Sequence, residues 1–344
     1  MRGKKFVSRK MMVTVVLAFA MIFSVAAQGI GAEKIPILFG TGKTGWTSYP
    51  IAVSTSDLVT RNTNLQISVR SYPGALAIVQ ALIQEKVSFV NGPKDTSFAM
   101  AYKAIGDFTG RPPARTLRAV IPYNALLQTI ITTKKGGIKS ISELKGKKLP
   151  RYLAGTNIPI ESLLRANGID IKKDIRWVRI EGEGDWREGM ITGRIDAFFS
   201  DLTGGHILEL AEGAGTLVAF PVEPEVLKWL KADNPKLWTG VNLTYINPGW
   251  KPHFYTPKPT PVLSTAMLVG THANVPEEVV YNYTKTWLAN MEEVRNLTKQ
   301  LSAFGPQASQ TPTSMPYHKG AIKAFKEAGL WVDAMEKAHR EALK

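Results

Sequence analysis

Apolar residues fall along this chain in short unbroken runs separated by longer stretches of helical period. Ile35-Pro-Ile-Leu-Phe39 reads as a buried strand that enters Gly40-Thr-Gly-Lys-Thr-Gly-Trp-Thr-Ser-Tyr-Pro50, a glycine-rich turn opening a helix. Such a turn presents bare backbone N–H groups to an anion. Further apolar strands are expected over 117–121 and 127–132, around Pro122-Tyr123-Asn124, and over 262–269 after a proline-rich run, with one helix over about 276–298. Strands alternating with helices throughout predict an α/β fold with mostly parallel sheets.

Two pairs of segments echo one another. Ala81-Leu-Ile-Gln-Glu-Lys-Val-Ser-Phe-Val90 and Gly189-Met-Ile-Thr-Gly-Arg-Ile-Asp-Ala-Phe198 each read as a helix end, a basic residue in a tight turn and a buried strand leading into a polar loop. Any α/β chain repeats such units, but two similar lobes would each place that strand end at a cleft, the usual ligand position in open α/β sheets. Lys148 to Glu161 likewise reads as strand, Gly155-Thr156-Asn157 turn and a helix starting near Pro159, with Asn157 as its cap. Two helix N-termini facing across a cleft would hold a carboxylate through backbone N–H groups.

The start of the chain changes the picture from fold to compartment. Arg2, Lys4, Lys5, Arg9 and Lys10 precede an uncharged apolar run over 11–25 and the small residues Val25-Ala26-Ala27, the pattern of a secretory signal peptide over 1–27. Removing those five charges from a formal +15 leaves about +10, scattered among acids without the dense stripe that nucleic acid requires, so no nucleic-acid partner is expected. The roughly 310 residues that follow suit two lobes better than one.

With no cysteine there is no disulfide, thiolate nucleophile or lipid anchor on an N-terminal Cys, and the expectation is a free, monomeric periplasmic protein. The five histidines show no metal-ligand spacing, so neither metal nor cofactor is expected. Gly42-Lys43-Thr44 matches the end of a phosphate loop, but Ile37 stands where its first glycine belongs; Gly40-x-Gly42-x-x-Gly45 lacks the acidic residue about twenty positions on. Gly-x-Ser-x-Gly is absent and no triad order is recognisable. Glu181, Glu183 and Asp185, among glycines, read as a polar loop, so an enzyme is not expected.

The chain resembles the TAXI family of solute receptors, which serve TRAP transporters. The resemblance rests on Gly40-Thr-Gly-Lys-Thr-Gly-Trp-Thr-Ser-Tyr-Pro-Ile51, Leu82-Ile-Gln-Glu-Lys-Val-Ser-Phe-Val90, Gly137-Ile-Lys-Ser-Ile-Ser-Glu-Leu-Lys-Gly-Lys147, Gly193-Arg-Ile-Asp-Ala-Phe-Phe199 and Pro276-Glu-Glu-Val-Val-Tyr-Asn-Tyr-Thr284, in order over nearly the whole chain after the signal. It implies a type II periplasmic-binding-protein fold, two α/β lobes joined by two crossing strands. Lobe I would cover 34–123 with 263–330, lobe II 124–262, and 331–344 a C-terminal helical tail. The implied activity is capture of a small anionic ligand (an organic acid, dicarboxylate or amino acid) and its delivery to a TRAP-type membrane permease; a receptor feeding a sensor kinase is the alternative.

Thr41, Gly42, Thr44, Gly45 and Trp46, with Tyr49 in the first helical turn, are the expected ligand contacts at the opening loop. Trp46 stands where members of the family often carry a second glycine, and its indole is expected to stack on a ligand. Gly155, Thr156 and Asn157 would face them. Asn91, Tyr123, Ser200 and Asp201 are expected at strand ends, and Arg151 could meet a carboxylate bidentately.

Overall fold

Glycine-punctuated segments first lay down β1 (Ile35–Thr41), α1 (Ser48–Asn62), β2 (Leu65–Ser71), α2 (Ala75–Ile83), β3 (Phe89–Val90) and α3 (Asp95–Lys103). The computed structural model describes residues 33–344 except 153–156, 181–182 and 239, with no side chain described at Tyr152, Glu183, Gly184 or Lys236. The expected signal peptide therefore lies outside the described residues. After α3 a long strand, β4 (Leu117–Thr133), leads to β5 (Lys148–Tyr152), α4 (Ile158–Ala166), β6 (Arg176–Ile180), α5 (Glu183–Ile191), β7 (Ala197–Asp201), α6 (Gly205–Ala214), β8 (Leu217–Ala219), α7 (Pro224–Asp233) and β9 (Val241–Ile246). A second long strand, β10 (Thr260–His272), returns, and α8 (Glu277–Ala289), α9 (Met291–Leu297), α10 (Lys319–Glu327) and α11 (Asp333–Leu343) follow.

One sheet runs β2-β1-β3-β10-β4-β7, with β8 also on β4 and β9 also on β10; β5 and β6 form a separate parallel pair. β10 pairs with β3 at one end (Gly270 with Val90) and with β9 at the other (Thr260 with Ile246). β4 lies antiparallel along β10, and its far end pairs with β7 (Gln128 with Asp201) and β8. These two strands cross between two α/β halves. Both are buried along most of their length, which is why they read as apolar runs without alternation.

Three expectations change. The described sheet is mixed, not mostly parallel: β1–β3 and β5–β6 are parallel, but every pairing of β4 and β10 is antiparallel, because a strand that crosses to the second half must return beside its outward path. The runs over 117–121 and 127–132 are one strand. Pro122 lacks an N–H for the ladder, and the register slips there, Leu268 facing Pro122 and Met267 facing Asn124, so Tyr123 is the extra residue of a bulge. The helix over 276–298 breaks at Asn290, whose Nδ2 donates to the Thr286 carbonyl (2.8 Å) in competition with the backbone.

The echo survives at the backbone level. Glu85 N–H donates to Leu82 O (3.0 Å) and, at the matching positions, Gly193 N–H to Met190 O (3.3 Å), with φ positive at both Glu85 and Gly193, so the same tight turn leads into β3 and β7. Each half has its own core. Phe39, Phe89 and Tyr283 stack in the first half, continuing through Trp287 to Tyr123 and Phe304. In the second, Trp186 stacks on Phe198 with ring centroids 4.0 Å apart amid Ile131, Leu202 and Ile246. Each such ring buried from water contributes on the order of 2 kcal/mol. Among the described residues no helix is long and apolar enough to cross a membrane.

Candidate functional site

The carboxyl ends of β1 and β3 meet the N-terminus of α1. Ser48 ties them: its Oγ accepts from the buried Gly42 N–H (3.3 Å), and its carbonyl accepts from Asn91 Nδ2 (3.0 Å). Asn91 N–H in turn donates to Gly40 O (3.1 Å). α1 opens with no acidic residue in its first turn and no side-chain cap, so its end is electropositive and open to an anion. Thr41 Oγ1 and Asn91 Oδ1 are buried there with no hydrogen-bond partner among the described residues. Burial drives the Tyr123 phenol above its ordinary range, the neighbouring Gly92 amide working the other way. Unpaired buried polar atoms carry a desolvation cost that a ligand's polar groups can relieve.

Trp46 is half-buried and folded over its own loop: a Cβ on Gly42 would stand 2.5 Å from Trp46 Cε3, so the indole lies on Gly42. Thr44 and Gly45 are exposed at the tip of the turn, which Trp46 N–H closes onto Lys43 O (3.0 Å), and Gly45 takes φ +96°. Tyr49 is half-buried in the first turn of α1.

A second constellation sits where β4 meets β7. Lys94, three residues beyond Asn91, bridges through its backbone to Met267 of β10 and sends its Nζ to Gln128 Oε1 (3.4 Å), with the Phe199 ring centroid 5.6 Å away. Lys94 as a whole is half-buried, and the protein around its ammonium desolvates it and pushes its pKa down to about 8, with the Asp201 carboxylate opposing. Asp201 Oδ1 accepts from Thr203 N, Thr203 Oγ1 and Gly204 N (2.8, 3.0 and 2.8 Å), and Oδ2 faces His206 Nε2 at 3.4 Å. Ser200 Oγ meets the same Nε2 at 3.1 Å. Serine, histidine and aspartate together suggest a relay, but a relay needs the carboxylate on the other ring nitrogen. Lys251, its ammonium lowered by desolvation, feels Asp201 and also Lys299, and lies 4.9 Å from the Trp250 ring centroid.

Arg151 joins neither group. Arg151 is exposed on β5, its guanidinium 5.8 Å from the Trp177 ring centroid. Asn157 is half-buried at the N-cap of α4, but its side chain makes no capping hydrogen bond, contrary to expectation. Gly155 and Thr156, like Glu181, lie outside the described residues. Asp185, expected in a polar loop, stands in the first turns of α5, where Trp186 anchors the segment in the core, and pairs with Arg194. Sequence reasoning missed Ser48, Gln128, Lys251 and the role of Lys94. The signal available for Lys94 was its place three residues past a cleft-facing strand. Two surface cavities, about 420 Å³ beside Lys147 and Gly193 and about 510 Å³ beside Phe108 and Arg111, touch neither constellation. Among the described residues no group of three His, Cys, Asp or Glu could hold a metal ion.

The family model described as "NMT1-like family" matches residues 39–329. A structure from Bacillus subtilis, described as the probable extracellular-binding protein of an amino-acid ABC transporter, superposes with a TM-score of 0.47 at 13% identity, over 79% of this chain and 99% of that one. One from Methylobacillus flagellatus KT, described as a periplasmic sulfonate-binding protein, gives 0.48 at 12% over 87% and 88%. The L-cystine solute receptor of Neisseria gonorrhoeae in its unliganded open form gives 0.39 at 15% over 78% and 93%.

Proposed function

Because the chain belongs to the NMT1-like family, we propose that it is an extracytoplasmic solute-binding receptor, taking a small anionic solute between two lobes and handing it to a membrane permease. The observation that carries this reading is the open N-terminus of α1 beside the buried, unpartnered Thr41 Oγ1 and Asn91 Oδ1. With Nδ2 committed to Ser48, Asn91 offers an acceptor, while Thr41 and the helix offer donors. The set suits an organic acid or amino acid with a hydroxyl or ammonium near its acidic group.

Lobe I takes 34–123 with 263–330 and lobe II 124–262, with β4 and β10 as the hinge. A ligand touching both lobes favours the closed form by its differential affinity, and the closed form is what a permease reads. The basic, apolar start of the chain supports export to the periplasm. The ordered TAXI-like stretches support a TRAP-type permease as the partner, and neither catalysis nor a cofactor enters this reading.

A thermal-shift screen of organic acids, amino acids and neutral solutes tests it. A specific acid should raise the melting temperature, the shift growing with the logarithm of its concentration above Kd, and Asn91→Ala should abolish that shift while remaining folded. No shift from any member would overturn the reading. Co-purification from membranes with TRAP subunits supports the partner; recovery with an ABC permease replaces it.

A further inference from the structure

Two lysines from separate segments, Lys94 and Lys251, sense the Asp201 carboxylate near the crossing strands, and a third, Lys299, senses Lys251. Lys94 comes from the loop after β3, Lys251 from the segment after β9, and Lys299 from the short turn Lys299–Leu301. That turn is fixed to β4 by Asn124 Nδ2 donating to Gln300 O (3.0 Å). Lys94 and Lys251 both feel Asp201, and Lys251 also feels Lys299. Yet among the described residues no carboxylate lies within ion-pairing distance of these three ammonium groups, whereas eleven ion pairs form elsewhere. Asp201 cannot supply the missing charge alone, since its oxygens are held by Thr203, Gly204 and His206.

Folding alone gives no reason to desolvate Lys94 and Lys251 near one carboxylate without an ion pair to either; a negatively charged guest does. The surroundings also describe the guest. Lys94 lies beside the half-buried ring of Phe199, and Lys251 beside that of Trp250. Cations flanked by half-open aromatic rings suit an oxyanion attached to a flat or apolar body.

We infer that Lys94 and Lys251 form an oxyanion subsite on the β4–β7 side of the receptor, with Phe199 and Trp250 as its apolar walls. It takes the carboxylate or sulfonate of an organic acid with an aromatic or apolar body. Lys94 is the specificity-determining residue, because its ammonium, braced by Gln128, reaches from the first half onto strands of the second. Lys299 adds long-range attraction. This inference rests on the solute-receptor reading.

The experiment is titration calorimetry of the full chain with benzoate, benzenesulfonate and the neutral isostere benzamide, repeated on Lys94→Met, Lys94→Arg and Lys251→Met. Benzoate or benzenesulfonate should bind the wild type and benzamide should not. Lys94→Met should lose about tenfold to a hundredfold in affinity, the scale of one charge-assisted hydrogen bond, and Lys94→Arg should regain most of it. Lys94→Met should also melt no lower than the wild type in the absence of ligand, since it removes a desolvated, unpaired cation. Equal affinity of the acids for wild type and Lys94→Met overturns the subsite and leaves the receptor reading standing. So does binding of benzamide as tightly as benzoate. If these acids fail while another solute of the thermal-shift screen binds, the apolar-acid class is overturned; if nothing binds in either experiment, both readings fall.

Discussion

Ser48 contributes at the residue scale through two atoms that face opposite ways. Its Oγ satisfies the buried Gly42 N–H, and its carbonyl holds the Asn91 amide, so the loop after β1 and the end of β3 are set by one helical residue. Ser48→Ala leaves the Gly42 donor buried without an acceptor, a loss of about 1–3 kcal/mol, to be read as a lower denaturation midpoint with unchanged m-value. An unchanged midpoint would show that the 3.3 Å contact contributes nothing. Gly42 itself was legible in the sequence, since glycines after a buried strand announce a tight backbone. What the sequence did not reveal is why that glycine is needed: the Trp46 ring occupies the volume a side chain would take. Lys94 was hidden for another reason. Its partner Gln128 stands 34 positions away, and only the pairing of β4 with β10 brings the two together.

At the scale of elements, close approach of helices decides stability as much as strand pairing. α10 packs across α8 at Gly320, where a Cβ would stand 2.7 Å from the Tyr281 backbone nitrogen and against the Glu277 carbonyl. Backbone cannot swing aside as a side chain can. Gly320→Ala should therefore cost about 1–3 kcal/mol despite alanine's better helix propensity, seen as a melting temperature several degrees lower; a stabilised variant would refute the packing. Elements whose character is local were legible. β1, the turn at Gly40 to Gly45, the start of α1 and the matching helix-turn-strand units all follow from patterns within a dozen residues. The continuity of β4 was not, because Pro122 signals a break and only the partner strand shows that a bulge absorbs it. The break at Asn290 was missed for a related reason, a side chain competing for a backbone carbonyl within a helical pattern.

Over the whole molecule, four buried or half-buried histidines shift in the same direction. His318 caps α10, its Nδ1 accepting from Gly320 N–H (3.2 Å), so it must be neutral there. Burial pushes its pKa down to about 4, the Ala273 and Val275 carbonyls opposing and Arg118 and Lys319 adding to the fall. Burial also lowers His253, His272 and His339. An unfolded histidine takes its proton near pH 6.5; in the fold these take it at lower pH. Between the two values the unfolded chain binds more protons, so stability is full above pH 6.5 and falls as pH drops, for His318 until about pH 4. Its share is at most about 3 kcal/mol. Asp95, raised by burial and held by the Ser314 N–H, works the other way, destabilising the fold as it ionises above its ordinary pKa, and so softens the slope. Calorimetric melting at fixed ionic strength should show a lower melting temperature at pH 5 than at pH 7. His318→Asn, which keeps a capping acceptor that does not titrate in this range, should flatten that dependence more than any other single histidine replacement. A melting temperature that holds or rises on acidification would mean that protonation of these histidines does not control acid stability.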